Sequence, residues 1–152
     1  MMMRLGYRSF FAGALFALCL GAAHAHAASV TVEVQGVCAD NTTKDGVPET
    51  LKRFKHILEK TKFTNFKDCG TQWVKPDAGK KDSTTIQGYC IIVNTVKVDG
   101  DKATVGVLFK DRDRITHAPV ELTLTKGQPI MFAQLGDKDS PCIIVLTLTE
   151  TK

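Results

Sequence analysis

Thr84 to Phe109 reads TTIQGYCIIVNTVKVDGDKATVGVLF, and this stretch decides the fold class. Thr84 to Val98 is a long run rich in β-branched residues, Asp99-Gly100 is a tight-hairpin signal, and Ala103 to Phe109 returns as a second apolar run. The two runs are therefore expected to pair antiparallel. The same grammar continues toward the C-terminus. Asp111-Arg112-Asp113-Arg114 reads as a charged turn, Val120 to Thr125 alternates, Lys126-Gly127-Gln128 turns again, Ile130 to Leu135 runs back, and Ile143 to Leu148 is a last strand.

Toward the N-terminus, valines alternate with Thr31 and Glu33 from Val30 to Val34, the period-2 pattern of a half-buried strand ending near Cys38. Asp40 to Gly46 (DNTTKDG) is a polar, turn-rich loop, and Pro48 suits the first turn of a helix. Leu51, Phe54 and Leu58 then fall on one face at 3.6-residue spacing, with Ile57 at its margin, opposite Lys52, Arg53, His56, Glu59 and Lys60. This predicts one amphipathic helix. Phe63 to Val74 mixes aromatic and polar residues as a strand would, and Pro76 to Ser83 reads as an exposed loop. The expectation is an α+β domain, predominantly antiparallel β-sheet or a small sandwich, with a helix after the first strand.

The first 27 residues have a different character. Arg4 and Arg8 precede an apolar run from Phe10 to Leu20, and Ala25-His26-Ala27 closes the segment with small residues, the layout of a cleaved secretory signal peptide. The apolar stretch is shorter than the roughly 20 residues of a spanning helix. Leu18 before Cys19 does not suit lipoprotein processing. Cleavage after Ala27 would leave residues 28–152 as a single exported domain, periplasmic or secreted, with no transmembrane segment. Removing the two arginines lowers the basic count from 20 to 18 against 16 acidic residues. So small a charge argues against a nucleic-acid partner.

The cut also discards Cys19 and leaves Cys38, Cys69, Cys90 and Cys142, an even number in an oxidising compartment. Two disulfides are expected. No pair has zinc-knuckle or Cys-x-x-Cys spacing, and only His56 and His117 remain to help a metal. Of the three possible pairings, the repeated Cys-Ile-Ile-Val at Cys90 and Cys142 favours joining those two, which leaves Cys38 with Cys69.

Chemistry-bearing motifs are few. No Gly-x-Ser-x-Gly elbow surrounds Ser29, Ser83 or Ser140, and no phosphate-binding glycine loop is present. Asp111 with Asp113 and Asp137 with Asp139 are the local carboxylate pairs, each interleaved with Lys or Arg in a turn. The Asp40 to Gly46 loop lacks the spacing of a calcium hand, and Asn41-Thr42-Thr43 matches a glycosylation acceptor. His56 projects from the polar helix face without a partner nearby. The candidate interaction residues are Trp73, an aromatic anchor beside a basic loop, and the cationic helix residues Lys52, Arg53, Lys55 and Lys60. No cofactor is expected.

The layout as a whole, from signal peptide through valine-alternating strand and Leu51-Lys52-Arg53-Phe54 helix to β-hairpins, resembles small exported bacterial proteins of unassigned function. Val120 to Leu148, turning at Lys126-Gly127-Gln128, is similar to the hairpins of secretin-type pore proteins but lacks their glycine pair. That resemblance carries no functional residues. The expected function is non-enzymatic binding of a protein or envelope component. The alternative is a secreted inhibitor of a hydrolase such as a protease or lysozyme, and a small hydrolase using the turn carboxylates ranks behind both.

Overall fold

The computed structural model describes residues 28–112, 114–115 and 118–152. The expected signal peptide lies outside the described residues, as do Asp113 and His117. In chain order the strands are β1 (Val30–Asp40), β2 (Asn65–Val74), β3 (Lys81–Ile86), β4 (Tyr89–Asp99), β5 (Lys102–Asp111), β6 (Arg114–Ile115), β7 (Val120–Thr125), β8 (Ile130–Gly136) and β9 (Pro141–Thr151). Two antiparallel sheets form from them. One has the order β2-β1-β9-β8; the other runs β3-β4-β5, with the far side of β5 shared by β6 and β7. Among the described residues no helix is long and apolar enough to cross a membrane.

The sheets face each other across a core of alternating side chains. Val30, Val32 and Val34 of β1 and Ile144, Leu146 and Leu148 of β9 meet Ile91 and Val93 of β4 and Val105, Val107 and Phe109 of β5. Gly36 sits on this inner face because a Cβ there would strike Cγ2 of Ile86. A second cluster lies on the outer face of the first sheet. There Val37, Ala39, Ile143 and Val145 are covered by Leu51, Phe54, Leu58, Phe63 and Phe66. β9 is therefore buried on both faces, which accounts for its unbroken Cys-Ile-Ile-Val-Leu run.

The helix differs in form from the expectation. Glu49–Phe54 is a 3-10 helix and only Lys55–Leu58, α1, is α-helical. No side chain caps either piece, and so short a segment is held by the packing of Leu51, Phe54 and Leu58 rather than by its own hydrogen bonds. The predicted burial face is nevertheless the one used. The run from Thr84 to Val98 is also not one strand: Gln87 and Gly88, with φ of 52° and 82°, turn β3 into β4. The Asp99-Gly100 hairpin forms as expected between β4 and β5.

Among the described residues one disulfide is present, Cys38–Cys69, joining β1 to β2 with a Cα separation of 5.9 Å. The expected Cys90–Cys142 bridge is absent and both cysteines are free. Alternation explains the correction. Ile91 and Val93 point into the core, so Cys90 points out of the second sheet, whereas Cys142 shares the inner face of the first sheet with Ile144. The repeated tetrapeptide occupies different environments in its two copies.

Candidate functional site

Two surfaces carry features beyond packing, and the first is the one the sequence indicated. Trp73 lies on β2, an outer strand of its sheet, and its side chain is 55% exposed. Register places it beside Glu33 on β1, and Glu33 in turn beside Thr147 on β9, so the three form a row across the outer face. Glu33 is 6% exposed. It is buried because Arg53, from the 3-10 helix, lies over it: Nη1 donates to Oε2 at 3.1 Å and Nη2 contacts Oε1. The guanidinium is also 4.4 Å from the Phe54 ring centroid. The Thr147 hydroxyl is buried with no hydrogen-bond partner among the described residues.

The structure thus brings Arg53 to the Trp73 face but leaves the lysines elsewhere. Lys52 pairs with Glu49 at 3.0 Å and Lys55 with Glu59 at 3.5 Å within their own turns, and Lys60 is exposed. His56 is exposed as expected. Beside Trp73 is a shallow hollow of about 400 Å³ lined by Thr31, Lys75, Thr149 and Glu150. It offers an aromatic surface with mixed charge at its rim.

The second surface was missed by the sequence reading. β7 and β8 lie at the same margin of the sandwich, each hydrogen-bonded to a neighbour on one side only, β5 and β9 respectively. Between them the sheets part into a cleft of about 390 Å³. Val107 and Phe109 of β5 form its floor, Val120 and Leu122 of β7 one wall, and Ile130 to Ala133 of β8 the other, with Gln134 at one end. Phe109 and Phe132 stack across it with centroids 4.8 Å apart and planes tilted by 34°. Among the described residues no charged side chain lines the cleft. Burial along β7 shows how it opens: Leu124 is fully buried, Leu122 partly, and Val120 is 42% exposed. The strand lifts away from the core toward its start. The signal available in the sequence was Ile130-Met131-Phe132-Ala133, four successive apolar residues where a half-buried strand would alternate.

Of the remaining sequence candidates, the Asp137–Asp139 pair and the Asp40 to Gly46 loop make local contacts, and Asp113 of the other carboxylate pair lies outside the described residues. Asp137 Oδ1 accepts the Asp139 amide at 2.8 Å, a turn contact. In the Asp40 to Gly46 loop, Asp40 Oδ1 accepts the Thr42 hydroxyl at 2.7 Å, the Thr42 amide at 2.9 Å and Asn65 Nδ2 at 3.0 Å. The Thr42 hydroxyl bond and then that from Asn65 hold this carboxyl below its usual range. Among the described residues no group of three or more His, Cys, Asp and Glu is placed to hold a metal ion. No known family model, curated protein or solved structure matches the chain.

Proposed function

We propose that the chain is an exported, non-enzymatic binding domain that takes an apolar part of an envelope component, an acyl chain, into the cleft between β7 and β8. The observation that carries this reading is the cleft itself: about 390 Å³, open to solvent, walled by two strands each unpaired along one edge and lined, among the described residues, without a charge. Ligand sites are concave, mostly apolar and begin at about 300 Å³. At about 30 Å³ per water-sized group, this one accommodates roughly a dozen non-hydrogen atoms. The five residues from Ile130 to Gln134 span about 13 Å at the strand rise, so the space is elongated along β8. A linear chain suits that shape better than a ring system. Export is supported by the Cys38–Cys69 disulfide, which an oxidising compartment maintains.

Burial contributes about 0.8 kcal/mol per methylene, less the cost of ordering the chain. Roughly micromolar affinity is therefore expected for a chain of about twelve carbons. Dodecanoate displacing a fluorescent acyl probe tests this. Saturable displacement by the native domain is expected, with at least a tenfold loss in Ala133→Phe, which fills the cleft from β8, and in Val120→Glu, which places a carboxylate at its mouth. No displacement, or equal displacement by both variants with their melting temperatures retained, would count against the reading.

A further inference from the structure

Cys38 and Cys142 are directly opposed residues of the antiparallel β1–β9 ladder. Opposed antiparallel residues present their side chains to the same face with Cα atoms about 4.5–5.5 Å apart, within the roughly 4.4–6.8 Å that a disulfide spans. Cys38 is already bonded to Cys69 on its other side. The buried thiol of Cys142 therefore faces one sulfur of an existing disulfide, and β1 carries a cysteine that can be bridged to either neighbouring strand.

We propose that these three cysteines form an internal thiol–disulfide exchange unit, in which Cys142 displaces Cys69 from Cys38 and presents Cys69 as a reactive thiol for a partner disulfide. The Cys142 thiol gives its proton to water, and the thiolate attacks Sγ of Cys38. The Cys38–Cys142 bond forms as the Cys38–Cys69 bond breaks, and its electron pair leaves on Sγ of Cys69, which takes up a proton. Disulfide number is unchanged, so no oxidant is consumed. Cys69 is half-buried on an outer strand next to Gly70, where the β1–β2 register shifts, and is more accessible to a partner than the buried Cys142. Its thiolate can then attack a partner disulfide, forming a mixed disulfide and releasing the partner's second sulfur as a thiolate.

The resting state is held by the environment of Cys142. Burial pushes its thiol up, offset in part by a backbone hydrogen bond from Val37; the nearby Tyr89 phenol is also pushed up, first by burial, then by the Asp111 charge, and least by Cys142. The exchange should therefore be slow at neutral pH and accelerate as pH rises.

The test uses the folded Cys90→Ser protein, which leaves Cys142 as the free thiol among the described residues. It is incubated with excess oxidised glutathione at mildly alkaline pH, acid-quenched, and mapped by mass spectrometry without reduction. The expected products are a Cys38–Cys142 bridged peptide and glutathione on Cys69, both absent when Cys142→Ser is added. An intact Cys38–Cys69 bridge, with glutathione on Cys142 or on no cysteine, would overturn the proposal. A Cys69→Ser, Cys90→Ser protein gives a second reading. It should fold with a Cys38–Cys142 bridge; a folded protein with both thiols free after the same oxidation would equally overturn it.

Discussion

Glu33 is buried in the middle of a sheet face and has Arg53 as its only counter-charge among the described ion pairs. Removing one partner of such a pair leaves the other uncompensated, which costs more than the pair itself contributes. Arg53 is half exposed, so water can replace part of what it gives. Arg53→Ala should lower the unfolding free energy by about 2 kcal/mol in a urea titration. Arg53→Lys should recover only part of that, because an ammonium cannot span both carboxylate oxygens. Gly136 is constrained differently. Its φ is +89° and a Cβ would lie 2.8 Å from the Tyr89 hydroxyl, so Gly136→Ala should cost about 1–3 kcal/mol, read as a lower denaturation midpoint. At Asp40 the sign follows from the hydrogen bonds its carboxylate accepts. A folded-state value held below the ordinary 3.8 contributes stability above that pH, and the contribution is lost as pH falls through the lowered value. Asp40→Asn should flatten the acid limb of melting temperature against pH below about pH 4.

Individual elements differ in what holds them. β1 and β9 carry core on both faces and need little else, while β2 is an outer strand with exposed polar residues and depends on the Cys38–Cys69 bridge. A loop with a sequence separation of 31 gives a chain-entropy contribution of about 3.5 kcal/mol. Cys38→Ala with Cys69→Ala should lose about that much in urea, with the β2 amides exchanging first. The strands were readable where side chains alternate and turns carry their usual residues, as in β1, β7 and the β4–β5 hairpin. The β3–β4 turn was not, because Gln87 is an uncommon residue at positive φ and its neighbours continue the β-rich pattern. The helix was placed correctly but overestimated in regularity, since its apolar spacing at Leu51, Phe54 and Leu58 is satisfied by a 3-10 turn followed by a single α turn. The Cys-Ile-Ile-Val repeat misled for a similar reason. Four letters specify a strand but not which face of it is buried, and that depends on the neighbours on either side.

For the molecule as a whole, the two margins of the sandwich behave differently. At one, β2 and β3 are tied together: the Lys75 amide donates to Asp82 at 2.7 Å, and Gln87 Nε2 donates to the Cys69 carbonyl at 3.4 Å. At the other, β7 and β8 part around the apolar cleft. That asymmetry was not legible beforehand, because the sequence specifies strands and turns while the separation of two sheet edges is set by how all of them pack. Trp73 could be singled out from sequence as an aromatic residue beside polar loops, and it is exposed. The cleft needed the assembled sheets to be seen, yet it is the feature on which the functional proposal rests. The most direct test is an amide nitrogen–proton correlation spectrum of the mature domain titrated with dodecanoate. The expected result is saturable shifts concentrated on Val107, Phe109, Val120 to Leu122 and Ile130 to Gln134, with Trp73 and its neighbours unmoved. Shifts that fail to saturate, or that gather around Trp73 and leave β7 and β8 unchanged, would contradict it.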